Sequence, residues 1–164
     1  MSSLIPLKRV HLFIDLVENL LPIFPDLKAE IVGGGVLFDK LKLRVESLGL
    51  EDNIFFTNTL SRKDCLKKMN NSKILIHTSS YESQGYVINE ALANGCNVVA
   101  MSKGVLSSKL NKKLIIVDNY ETLKEASLTL LNEKKNEWSS EVPFEMELTV
   151  KKYLNIYVNL ANNK

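Results

Sequence analysis

The chain has 164 residues, which suits one domain with a sizeable core. It is 45% hydrophobic and 24% charged, ordinary for a globular domain, and 21 basic against 19 acidic residues leave a net charge of +2. That surplus is too small to imply nucleic acid or an anionic membrane as the main partner, and no run reaches the ~18 apolar residues of a membrane span.

Two periodicities alternate along the chain. Val10, Ile14, Val17 and Leu21 fall at helical spacing within Lys8 to Phe24, with Pro6 just ahead, and predict a helix. Ala29-Glu-Ile-Val-Gly reads as a strand running into Gly33, Gly34 and Gly35. Leu37 to Leu48 reads as an amphipathic helix stopped by Gly49. Asn53-Ile-Phe-Phe-Thr is a strand, and Ser61 begins a helix with Asp64 where a capping-box acid would sit. Lys73-Ile-Leu-Ile-His is a strand, and Gln84 to Asn94 is a helix closed by Gly95. Asn97-Val-Val-Ala-Met and Leu114-Ile-Ile-Val are strands, and Tyr120 to Glu133 is a helix. Beyond Pro143, residues 144–164 read as a last amphipathic helix and a frayed Asn- and Lys-rich tail.

Short apolar strands alternating with helices predict a doubly wound, Rossmann-like parallel sheet, an αβα sandwich in one α/β domain. Such sheets place their first strand in the middle. Here the chain opens on a loop and a helix, and Ser3-Leu-Ile stands where that strand should end, so the first strand is expected to be missing. Strands ending near Val32 and His77 would then carry unpaired ladder groups, unless they pair directly with each other. Cys65 and Cys96 read as reduced thiols packed as small hydrophobes, as in a cytoplasmic protein. With His11 and His77 as the two histidines, no cluster has metal-ligand spacing. No signal peptide is evident.

Ligands of open α/β sheets bind beyond the carboxyl ends of the strands. Three stretches there could carry chemistry. Gly33 and Gly35 lie in a loop that would let a ligand approach the backbone, or form a tight turn with no ligand. The run 79–95 passes from a strand end into a helix, so the amides of Gly85, Tyr86 and Val87 would face the loop with the positive end of the helix dipole, a site for phosphate. Glu82 in the loop and Glu90 one turn into the helix would flank one ligand from opposite ends; without context, two acids at this spacing read as solvated side chains. Lys8, with Arg9, could neutralise a diphosphate or be a surface charge.

Taken in order, Ile31-Val-Gly-Gly-Gly, Leu48-Gly-Leu, Asn53-Ile-Phe-Phe, Ser79 or Ser80 with Glu82 and Glu90, and Ala93-Asn-Gly-Cys-Asn-Val-Val-Ala resemble the C-terminal, nucleotide-sugar-binding domain of the group 1 (family 4) retaining glycosyltransferases of GT-B architecture. The resemblance implies that Glu82 contacts the donor sugar, Glu90 holds the ribose hydroxyls, and Gly85, Tyr86 and Val87 hold the diphosphate. It implies that Lys8 neutralises the leaving diphosphate, that Gly33 and Gly35 lie under the donor, and that the base rests against Thr57, Asn58 and Thr59. The sequence departs from the family where an Arg usually stands five residues before that Lys: here it is Ser3, and Arg9 is the imperfect substitute. The Gly-Gly-x-x-Glu stretch of the family is weak here, as Lys103-Gly-Val-Leu-Ser-Ser.

The implied function is retaining glycosyl transfer from a nucleotide-diphosphate sugar, with no metal and no cofactor, since no Asp-x-Asp is present to clamp a diphosphate through a cation. The chain resembles a hexosyltransferase, but one sheet and its helices leave nothing to build the N-terminal acceptor domain. That domain, or a partner chain, is the expected partner, along with any peripheral membrane association it would bring. The alternative is a non-catalytic nucleotide-sugar-binding subunit or a truncated remnant. A sugar epimerase of related fold is weaker, because His77 is the only histidine near the 79–95 run.

Overall fold

The computed structural model describes residues 3–82, 85–101, 103–104 and 113–133. The stretch 144–164, read above as a helix and tail, lies outside them. A short 3-10 turn, Pro6–Lys8, leads into α1 (Val10–Leu20). There follow β1 (Ala29–Val32), α2 (Phe38–Ser47), β2 (Ile54–Thr57), α3 (Arg62–Asn71) and β3 (Ile74–His77). Then come β4 (Tyr81–Glu82), α4 (Tyr86–Ala93), β5 (Asn97–Ala100), β6 (Lys103–Gly104), β7 (Leu114–Ile116) and α5 (Tyr120–Asn132).

Local chemistry explains the boundaries. The first helix starts two residues later than its apolar period suggests, because Arg9 takes a left-handed backbone at φ 45° that ends the 3-10 turn. The Ser61 hydroxyl caps α3 by accepting the Asp64 amide. Asn119 and Thr122 form a reciprocal box at the start of α5. Gly49 and Gly95, both at positive φ, close α2 and α4.

Every ladder among the described residues is parallel, as expected of βαβ crossovers. The strands fall into three pieces: β1–β2, β3–β5–β7 and the small pair β4–β6. The strand β5 fixes the layers, because its successive side chains point to opposite faces. Val98 and Ala100 join a cluster with Met69 of α3 and Ile88, Ala91 and Leu92 of α4. Val99 joins Leu16 and Leu20 of α1 and Leu123 and Leu130 of α5. Helices therefore cover both faces. All four residues of β5 are buried, so it reads as a continuous apolar run rather than an alternating one.

Two stripes of α1 serve two different pieces of sheet. Val10, Ile14 and Val17 pack with Ile31 of β1, Ile54 of β2 and Leu41 and Val45 of α2. Leu16 and Leu20 pack under Val99 and Val117 on the other piece. Both cysteines are free and buried, and burial pushes the Cys96 thiol up to about 11, so it stays protonated.

Candidate functional site

Leu4 sits fully buried ahead of α1, and its backbone is held by the glycine loop. Its amide donates to the Gly34 carbonyl at 3.0 Å, and the Leu37 amide donates to the Leu4 carbonyl at 3.0 Å. A Cβ on Gly35 would lie 2.7 Å from the Leu4 nitrogen and 2.8 Å from its oxygen, at a φ of 155°. Gly33 also has positive φ, at 131°. The glycines are thus required by a close backbone approach, and the loop lies beside the amino end of the 3-10 turn that carries Lys8.

Lys8 reaches across to β4. Its Nζ donates to Glu82 Oε2 at 3.3 Å, and both side chains are largely covered. The same oxygen lies 3.4 Å from His77 Nε2, a close contact without the alignment of a hydrogen bond. The other carboxylate oxygen, Oε1, accepts the Gly85 amide at 3.2 Å. Glu82 therefore draws together a cation, an imidazole and the amide at the start of α4. Gly85 takes a left-handed φ of 64° and, lacking a side chain, offers no cap of its own to that helix. The first amides of α4, including those of Tyr86 and Val87, have no intrahelical acceptor by geometry.

His77 is 8% exposed. Burial lowers its pKa, and the neighbouring Lys8 charge lowers it further, against a smaller opposing pull from Glu82. The unfolded imidazole takes a proton near pH 6.5, the folded one only at lower pH. Between those values the unfolded chain binds more protons, so stability rises with pH. The contribution of His77 is complete above the unfolded value and is lost as the pH falls below it. Thermal midpoints should therefore drop on acidification below about pH 6.5. His77→Gln should flatten that dependence, and a wild-type midpoint insensitive to this window would refute the assignment.

Arg9 is placed differently from Lys8. Its Nε donates to the Thr78 carbonyl at 2.8 Å, and its Nη2 to the carbonyls of Ser79 at 3.2 Å and Met101 at 3.4 Å. The guanidinium gathers the chain leaving β3 and the chain leaving β5. Thr78 returns a bond, its hydroxyl donating to the Lys8 carbonyl at 2.7 Å.

Glu90 stands on α4, paired with Arg62 of α3 at 3.0 Å. The two acids are thus held by different cations, Lys8 and Arg62. Thr57 ends β2 half-buried, its carbonyl accepting the Gly33 amide, and Asn58 and Thr59 are exposed beyond it. Sequence reasoning gave no site role to Arg62 and weighed His77 only against an epimerase. A histidine at a strand end five residues before a loop acid was the available signal.

A parallel sheet between helical layers, with a cation and an acid meeting the start of a helix beyond the carboxyl ends of its strands, defines a Rossmann-like α/β domain of the GT-B kind. The chain belongs to the family described as glycosyl transferases group 1, whose pattern matches residues 1–145. It is 30% identical over 128 residues to the poly(glycerol-phosphate) alpha-glucosyltransferase of Bacillus subtilis (strain 168), covering 74% of this chain and 19% of that relative. Among solved structures it resembles Staphylococcus aureus TarM in complex with UDP, at a TM-score of 0.71 and 24% identity over 95% of this chain and 34% of that one. It also resembles Anabaena HepE in complex with UDP, at 0.68 and 25% identity over 82% of this chain and 38% of that one. The chain thus spans about a fifth of the curated relative and just over a third of each crystal chain. Among the described residues no helix is long and apolar enough to cross a membrane.

Proposed function

We propose that this chain binds the nucleoside-diphosphate sugar donor for a retaining, metal-independent glycosyl transfer, with the acceptor held by polypeptide outside these 164 residues. The observation that supports the reading best is the convergence of Lys8, Glu82 and the start of α4 on one point. A diphosphate there would compete with the Glu82 carboxylate for Lys8 and for the Gly85 amide. Glu82, so displaced, would be left to accept hydrogen bonds from the hydroxyls of the donor sugar. Lys8 and the amides of Gly85, Tyr86 and Val87 would stabilise the charge that develops on the leaving diphosphate. Glu90 would hold the ribose, releasing Arg62 toward the phosphates or the solvent. Gly33 and Gly35 would lie under the donor, and the base against Thr57, Asn58 and Thr59. The UDP held by TarM and HepE supports a uridine nucleotide as the first ligand to try.

The test is titration calorimetry with the diphosphates of uridine, guanosine and adenosine and with their sugars, in the presence of chelator. Binding of one nucleotide should survive chelation. Glu90→Ala should weaken it by about 1–3 kcal/mol, the loss of hydrogen bonds to a charged group. Binding that required a divalent cation would overturn the metal-free part. Equal affinity in the variant would remove Glu90 from the site.

A further inference from the structure

One oxygen of Glu82 serves two groups. Oε2 lies 3.3 Å from Lys8 Nζ and 3.4 Å from His77 Nε2. Both contacts are sheltered: the Glu82 side chain is 17% exposed and His77 is buried. Neither nitrogen of the His77 ring has a hydrogen-bond partner among the described residues. Nε2 stands beyond the ~2.9 Å of an N–H···O bond, beside an acceptor that Lys8 already holds. The strand end that carries the ring is fixed, because the His77 carbonyl accepts the Met101 amide at 2.9 Å. Burial and the Lys8 charge keep the ring neutral near neutrality, so it has one N–H to give. A carboxylate beside Nε2 favours the tautomer that carries the proton there.

We infer that His77 is the positioning residue of Glu82 in the donor-bound site, taking Oε2 through an Nε2–H bond when the diphosphate draws Lys8 away. This role rests on the donor reading of the site and adds the group that holds Glu82 once its cation has gone. A sheltered carboxylate that loses its cation is destabilised, and a diphosphate beside it repels it as well. Without a replacement donor on Oε2, Glu82 would follow Lys8, take up a proton or swing out to water. Each of these takes from the donor sugar its acceptor. His77 is already in contact and needs only a small shift to align. Oε2 is then anchored at the end of β3. Oε1, which yields the Gly85 amide to the diphosphate, is left aimed at the sugar hydroxyls. The unpartnered imidazole is the mark of a second arrangement, in which it is satisfied.

The test uses the 164-residue chain, titrated with UDP, UDP-glucose and UDP-N-acetylglucosamine, and melted in its free form near neutral pH. His77→Leu removes a buried polar group that has no partner among the described residues, so the free chain should melt as the wild type does or higher. The tighter-binding sugar nucleotide should nevertheless bind about tenfold or more weakly, while UDP stays within about threefold of wild type. His77→Gln, whose amide can donate from near the place of Nε2, should restore most of the sugar-nucleotide affinity. A purely structural histidine gives the opposite pattern, a lower melting temperature and equal losses with all three ligands. Equal losses, or an unchanged sugar-nucleotide affinity in His77→Leu, overturns the proposal. A wild-type chain that binds none of the three removes the donor reading itself, and the role of His77 with it. A ligand-free arm separates the two: Lys8→Met withdraws the cation without a diphosphate. Imidazole 15N spectra of that variant should show the His77 Nε2 proton hydrogen-bonded and exchanging with water about tenfold or more slowly than in the wild type. A His77 spectrum that Lys8→Met leaves unchanged overturns the exchange of partners even where nucleotides bind.

Discussion

Gly35→Ala is expected to be among the most damaging single-methyl changes in the molecule. The new Cβ would meet the Leu4 nitrogen at 2.7 Å and its oxygen at 2.8 Å, and these are backbone atoms that no rotamer change can move. Leu4 is fully buried, and its amide and carbonyl are both bonded to the loop that Gly35 belongs to. Relief would have to come from breaking one of those bonds or shifting the loop, in addition to the strain of a left-region φ. A cost of about 3 kcal/mol is expected, which for a chain of this size lowers the melting temperature by about 6–12 °C. Gly34→Ala is the matched control: a Cβ there meets nothing within 4 Å, and its φ is not positive. Thermal unfolding of the two variants should separate them clearly. Equal melting temperatures would mean that Leu4 does not lie against the loop.

Arg9→Ala should cost about 2–4 kcal/mol, because it removes charge-assisted bonds to three carbonyls that have been brought together at two strand ends. Lys8→Ala, one residue away, should cost less stability, since it removes one charge-assisted bond, to Glu82, where Arg9 makes three. Arg9→Gly should fall between wild type and Arg9→Ala, because glycine takes a φ of 45° without strain. Denaturant unfolding gives all three. If Arg9→Ala proved no more harmful than Lys8→Ala, the fork would not be acting as a clamp. The guanidinium would then be available for a diphosphate, the role its neighbourhood in the sequence first suggests.

These two residues also mark the limit of what the sequence showed. The alternation of strand and helix was legible because β1, β3, β5 and β7 are short, largely apolar runs between turn formers, and in β5, buried at all four positions, no exposed polar residue blurs the run. The two-residue strands β4 and β6 were not legible, since a ladder that short has no period. The glycine loop was visible as a loop, but its reason, the backbone of Leu4, lies some thirty residues away in the chain. The bonds of Arg9 cross 69 to 92 residues and end on carbonyls, which every residue type carries, so no pattern announces them. The pairing of Glu82 with Lys8 joined two residues that the family resemblance had already singled out. The pairing of Glu90 with Arg62 brought in a residue it had not.

The double duty of α1 bears on how the molecule melts. Its two stripes join pieces of sheet that exchange no ladder bonds, so cooperativity between them passes through side chains and the few bonds around the 3-10 turn. Lys8 ends that turn and Arg9 caps it; Arg9 holds the Thr78 and Ser79 carbonyls, which follow β3, and Lys8 holds Glu82 of the small β4–β6 pair. The proposed ligand site is therefore also the seam between two folding units. A diphosphate bound there would act as an adhesive, turning two loosely coupled transitions into one.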